Sequence, residues 1–139
     1  MMRRINGEYP RNHLIRKSVT RKSTHHHTGK QGEELAAGFL QQRSFTILQC
    51  NWRFGRYEID IIAEKGGVLH FIEVKTRRTD TFGLPEESVS VKKMKHLMRC
   101  AAAYQHQFPG WKRIQLDILS ITLTADQPPE FFFIEDAYL

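Results

Sequence analysis

The chain has 139 residues, a length that suits one domain around one core. A hydrophobic fraction of 40% with 26% charged residues favours a folded protein, and the lack of any run of 18 or more apolar residues argues against a membrane-spanning helix. The net charge of +6 is unevenly placed: residues 1–28 hold seven Lys/Arg against the single acid Glu8, while residues 29–139 hold 14 of each sign and sum to zero.

Residues 1–28 contain Pro10 and the run His25, His26 and His27, with no helical or strand period. They read as a disordered basic arm. It is either a tail that attracts nucleic acid or a solvated leader. No apolar stretch follows its charges, so it does not read as a secretory signal. Three histidines without a nearby acid or cysteine are a weak metal signal. Residues 29–139 read as the folded domain.

The first helix runs through "TGKQGEELAAGFLQQR", where Glu33, Ala36, Ala37 and Leu40 share a stripe at helical spacing. A strand follows around "FTILQCNWRF". The stretch "RYEIDIIAEKGGVLHFIEVKTRR" reads as two β-rich runs joined by the hairpin signal "EKGG". "TDTFGLPEE" is a loop marked by Gly83 and Pro85. Ser90 can cap a second helix to about Gln107, with Val91, Met94, Met98, Ala101 and Gln105 on one side and Leu97 adding to it. "FPG" stops that helix, "KRIQLDILSITL" is a strand, "TADQPPE" a turn and "FFFIE" an edge strand. The order is αβββαββ. Both hairpin strands are apolar on both faces, which requires a layer on each side. The expected fold is therefore an α/β three-layer sandwich with a mixed central sheet between helices. Cys50 and Cys100 fit no CxxC or zinc spacing and read as free thiols in a reducing cytoplasm.

One feature conflicts with a purely structural sheet. Within "HFIEVKTRR", Glu73 and Lys75 lie two residues apart and share a face of a buried strand. A turn at Lys65–Gly66, or a four-residue loop from Glu64 to Gly67, puts Ala63 opposite Val68, Asp60 opposite Phe71 and Glu58 opposite Glu73. Glu58, Asp60, Glu73 and Lys75 then project from one face, with Asp60 and Glu73 as diagonal neighbours about 7–8 Å apart. Crowded carboxylates repel, and each costs several kcal/mol to desolvate. A hard divalent cation, Mg²⁺ or Mn²⁺, removes both problems. A salt-bridged face, with Lys75 pairing Glu73 and Glu58, is the simpler alternative. The added Glu-x-Asp across the hairpin favours the cation.

The string "EID" (58–60) followed by "EVK" (73–75) resembles the PD-(D/E)XK nuclease signature. With "GEELAA", "YEIDIIA", "FIEVKTRR", "FGLPEESV" and Lys93 and Leu97 in the next helix, the chain from about Thr28 to Leu139 resembles the YraN-type family of small bacterial proteins. That family is grouped by fold with Holliday-junction resolvases and other restriction-endonuclease-like enzymes. The resemblance implies that Asp60 and Glu73 ligate a metal, with the Val74 carbonyl as a third ligand, and that Lys75 is the catalytic lysine. It also implies that Glu33 completes the catalytic site and that Glu58 fills the acidic position before the metal Asp. Each has a bland reading beside it. Acids favour the first turn of a helix, which accounts for Glu33, and Glu58 can serve as charge partner to Lys75 or Arg56. Tyr57 stands where the family usually has Gly.

For nucleic-acid contacts, Arg77 and Arg78 follow the active strand, and Lys93 matches the family pattern. Lys92, Lys95 and Arg99 read as the solvated face of the second helix. Trp52, Phe54 and Trp111 either stack on bases or pack. The resulting expectation is a cytoplasmic, Mg²⁺- or Mn²⁺-dependent endonuclease-like protein acting on DNA, with branched DNA as the substrate its relatives suggest. The alternative is a catalytically silent nucleic-acid-binding or assembly module. Resolvases are usually dimers, so a homodimer is a further implied partner, although no dimer seam is legible.

Overall fold

The computed structural model describes residues 24–79 and 91–137. The elements, in chain order, are α1 (Thr24–Gln42), β1 (Thr46–Phe54), β2 (Tyr57–Lys65), β3 (Val68–Arg78), α2 (Val91–Gln107), β4 (Ile114–Leu123) and β5 (Glu130–Ile134). This is the expected αβββαββ order. Residues 1–23, the "TDTFGLPEE" loop from Asp80 onward and the cap Ser90 lie outside the described residues. Helix α1 begins at Thr24, so the last residues of the stretch read as an arm are helical in backbone.

The five strands form one sheet in sequence order, β1-β2-β3-β4-β5. Neighbours are antiparallel except β3 and β4, which are parallel. A parallel pair needs a crossover, and α2 supplies it. Each face of the sheet has its own core. On one face Ala36 and Leu40 of α1 bury against Cys50, Ile61, Ala63, Ile72, Leu119 and Ile121. On the other, Leu97, Cys100, Ala101 and Tyr104 of α2 bury against Ile59, Ile62, Leu69 and Phe71. The two-sided burial read from the hairpin strands is thus the three-layer sandwich.

The buried stripe of α2 is Leu97, Cys100, Ala101 and Tyr104, offset from the stripe read in the sequence. Val91 and Met98 are exposed. Tyr104 decides the outcome: it is fully buried and packs edge-on to Trp52 and Phe71, and such aromatic pairs add to what the ring's burial contributes. Trp52 and Trp111 pack against this same core rather than presenting free faces to bases, while Phe54 is exposed.

The hairpin register also differs from expectation. Lys65 pairs with Val68, Ala63 with His70 and Ile62 with Phe71. The turn is therefore Gly66–Gly67, with φ of 59° and 82°. A two-residue hairpin of this kind needs positive φ at both central positions, which Gly-Gly meets and Lys-Gly does not. The Glu64 carboxylate accepts the Gly67 N–H at 2.9 Å and closes the turn. A shift of two residues leaves each side chain on its face but moves Asp60 from a diagonal position toward Glu73 to the position beside it.

Candidate metal centre

The β2–β3 ladder ends at Ile61–Ile72, one position short of Asp60 and Glu73. At that position the Val74 backbone N–H donates to Oδ2 of Asp60 at 2.8 Å. The carboxylate thus takes an amide of the neighbouring strand. Alternation along β2 breaks here, since Ile59 and Ile62 face the α2 core while Ile61 and Ala63 face the α1 core. The expected picture of Glu58, Asp60, Glu73 and Lys75 projecting from one face of a regular strand is corrected accordingly. Glu58 belongs to the outer half of β2 and pairs with Arg53 at 3.8 Å. The break has a counterpart in β1, where Asn51 sits at φ 55° between the Cys50–Ile61 and Trp52–Ile59 pairs.

Glu73 is buried. Its Oε2 lies 3.4 Å from the Lys93 ammonium, and its Oε1 is buried without a hydrogen-bond partner. Lys93, expected to contact nucleic acid, is therefore placed against the acidic pair. Burial raises the pKa of Glu73 against the opposing effect of Lys93 and Lys75. Asp60 is pushed well above the usual carboxylate range by burial and then by Glu73, with Glu33 and Glu58 adding to the rise and the Val74 N–H opposing it. The centre is short of positive charge.

Glu33 is brought to this centre by a close helix–strand approach. A Cβ built on Gly32 would lie 2.0 Å from Thr76 Oγ1, so only a hydrogen fits between α1 and β3. Glu33 is half-buried and accepts from Asn51 Nδ2 at 3.2 Å. Asn51 was not anticipated as a site residue. The available signal was an Asn, a poor strand former tolerant of left-handed φ, inside the apolar run "ILQCNW".

Lys75 acts electrostatically on Glu73 and lines a cavity of about 300 Å³ with Thr76, Arg77, Ser120, Ile121, Thr122 and Phe132. Arg77 and Arg78 part company: Arg77 lines that cavity, while Arg78 reaches Gln31 of α1 at 3.5 Å. Cys50 and Cys100 are buried and are not joined in a disulfide. Among the described residues no three His, Cys, Asp or Glu side chains stand together as cation ligands, and no helix is long and apolar enough to cross a membrane. A cation here would have two carboxylates, and the partnerless buried Oε1 of Glu73 together with the elevated Asp60 is the donor chemistry that a hard divalent ion fits.

The fold defines the chain as an α/β sandwich of αβββαββ order, with an Asp–Glu–Lys grouping where β2 and β3 part. The description "Uncharacterised protein family UPF0102" matches residues 32–121, which take in all of these residues. The chain belongs to that family. It is 44% identical over 97 residues to a UPF0102 protein of Dictyoglomus turgidum, covering 69% of this chain and 82% of the relative. It is 38% identical over 115 residues to one of Phocaeicola vulgatus, covering 82% and 93%. A UPF0102 protein of Chloroherpeton thalassium is 36% identical over 118 residues, covering 79% and 92%.

Proposed function

We propose that the protein is a divalent-cation-dependent phosphodiesterase that hydrolyses DNA, with branched DNA as the substrate to test first. The observation that carries this reading is the meeting of Asp60 and Glu73 at the end of the β2–β3 ladder, with one Glu73 oxygen buried and unpartnered. Structural carboxylates in a sheet are normally satisfied, and two that are both raised by burial and one by the other are costly to fold.

In this reading Asp60 and Glu73 hold Mg²⁺ or Mn²⁺, which when bound supplies a Lewis acid at a phosphoryl oxygen. The Val74 N–H holds Oδ2 of Asp60 and leaves its other oxygen to a cation. Lys75 holds the attacking water or offsets the charge that builds on the phosphate as the water oxygen bonds to phosphorus and the P–O bond to the leaving group breaks. Glu33, oriented by Asn51, accepts a proton from that water. Arg77, in the cavity beside Lys75, contacts the flanking phosphate. The basic residues of the N-terminal segment add non-specific attraction to a polyanion.

A second reading, a nucleic-acid-binding module without turnover, draws on the Lys93–Glu73 contact, in which the lysine supplies the neutralising charge itself. The two readings separate in one assay. Labelled duplex, flap and four-way-junction DNA are incubated with Mn²⁺ and either the wild type or Asp60→Ala. Cleavage by the wild type that disappears in the variant supports the enzyme; equal background in both supports the silent module.

A further inference from the structure

Next to the acidic centre, four side chains from the β1–β2 turn, β2 and α2 meet, with no paired carboxylate at either arginine among the described residues. Tyr57 opens β2 and His96 lies on the second turn of α2. Their rings stack with centroids 4.4 Å apart and planes tilted by 30°. Nη1 of Arg99, one turn further along α2, donates to the Tyr57 phenol oxygen at 3.3 Å. The Arg56 guanidinium carbon stands 5.6 Å from the Tyr57 ring centre and that of Arg99 6.0 Å. Among the described residues neither Arg56 nor Arg99 pairs with a carboxylate, and Glu58, next along β2, is engaged with Arg53 instead. Both arginines are exposed.

The electrostatics agree with this geometry. Partial burial and then Lys92, Lys93, Arg56 and Arg99 all hold the His96 imidazolium below its usual range. Arg56 is the largest influence lowering the Tyr57 phenol, with Arg99 acting in the same sense against the effect of burial. An anion placed among these groups would relieve repulsion between cations and accept from two planar guanidinium forks, a hydroxyl and an imidazole N–H, which is the donor set that suits phosphate oxygens. The aromatic pair gives the arginines a flat support, which reduces the rotamer freedom lost on binding.

The location matters as much as the chemistry. Tyr57 precedes Asp60 by three residues of strand, about 10 Å. His96 follows Lys93 by three residues of helix, about 4.5 Å of rise, and Lys93 touches Glu73. The cluster therefore adjoins the acidic centre along both β2 and α2, at a spacing that a neighbouring phosphate of the same nucleic-acid strand can bridge.

We propose that Arg56, Tyr57, His96 and Arg99 form a phosphate site that grips the backbone of a nucleic-acid strand beside the Asp60–Glu73 centre. Assigning the anion to a strand rests on the nuclease reading above; the anion site itself rests on the cluster alone. The site reads phosphate rather than bases, so it contributes affinity and register without sequence preference.

The test is fluorescence anisotropy of the full chain with a labelled DNA duplex in EDTA, where no cleavage complicates binding. The variants are Arg99→Ala, Arg56→Ala and Tyr57→Phe; the last keeps the ring stack and removes only the hydroxyl. Loss of either arginine is expected to weaken binding about tenfold and to reduce the slope of log K against log salt by about one. Tyr57→Phe is expected to weaken it by roughly threefold. Wild-type affinity and slope in all three variants would overturn the proposal, as would failure of the wild type to bind. If Arg99→Ala weakens binding of inorganic phosphate, followed by NMR shifts, but not of DNA, the strand assignment is overturned. Arginine-dependent binding by a protein that cleaves nothing with Mn²⁺ would leave this site standing and remove the nuclease reading.

Discussion

The Val74 amide donates to the Asp60 carboxylate across 2.8 Å, replacing what would be the next rung between β2 and β3 with a side-chain bond. The cost is a carboxylate held among Glu73, Glu33 and Glu58 in a poorly hydrated position. That cost appears first in stability.

In metal-free protein, Asp60 makes folding pH-dependent. Its pKa is raised on folding above an unfolded value of about 3.9. Its contribution is therefore fully present below that value and is lost as pH rises through the raised folded value. Glu73, also raised, acts in the same sense. Asp60→Asn keeps an oxygen for the Val74 N–H and removes the charge. In EDTA its thermal midpoint should exceed the wild type's by a few degrees at neutral and alkaline pH, and the gap should close near pH 4. A midpoint below the wild type's throughout would mean that the charge is compensated by groups other than those named.

Lys75 is expected to separate chemistry from binding. Lys75→Met should lower the cleavage rate by about 10²–10³-fold while leaving Mn²⁺ affinity within a few-fold, as measured by initial rates beside a metal titration. Loss of metal affinity in step with rate would place Lys75 in the support of the carboxylates instead.

The approach of α1 to β3 can be tested without touching a charge. Gly32→Ala puts a methyl against Thr76 Oγ1 and should destabilise the protein by about 1–3 kcal/mol. Adding Thr76→Ala should recover part of that loss in a double-mutant cycle followed by denaturant unfolding. Strictly additive losses would show that the contact is not the cause.

Asp117 offers a contrast, since it is buried on β4 opposite Ile72 with partners of its own. It meets His70 Nδ1 at 2.6 Å and accepts from Asp136 N and Gln115 Nε2. Asp117→Ala leaves those groups unpaired and should cost about 3 kcal/mol without altering Mn²⁺ affinity at temperatures where the variant stays folded. A matching fall in affinity would show that the Asp117 network supports the acidic centre.

Asn51 is required by its conformation as well as its hydrogen bond. Asn51→Gly tolerates φ 55° and should lose only the bond to Glu33, whereas Asn51→Ala should be less stable than Asn51→Gly by about 1 kcal/mol. Comparison of urea midpoints decides between them.

Much of this arrangement could be read from letters alone because it rests on period and punctuation. The αβββαββ order followed from apolar runs and turn residues. The proximity of Asp60 to Glu73 survived a register error because the error was two residues, the repeat of a strand. The misjudged features depend on tertiary geometry. Gly-Gly and Lys-Gly turns differ only in how φ is tolerated. The buried stripe of α2 was set by the ring of Tyr104, which periodicity weighs no more than a methionine. The break in alternation at Asp60 and Asn51 leaves no mark in hydrophobic pattern. The pairing of Lys93 with Glu73 joins residues far apart in sequence. The Tyr57–His96 stack likewise joins two elements that only the sandwich brings together.

The proposed function stands on Asp60 and Glu73 as ligands to a hard divalent cation. The deciding experiment is isothermal titration of Mn²⁺ into wild type, Asp60→Asn and Glu73→Gln. Saturable binding by the wild type at millimolar concentration or below is expected, abolished in both variants although each remains folded. Absence of binding by the wild type, or equal binding by all three proteins, would contradict that function.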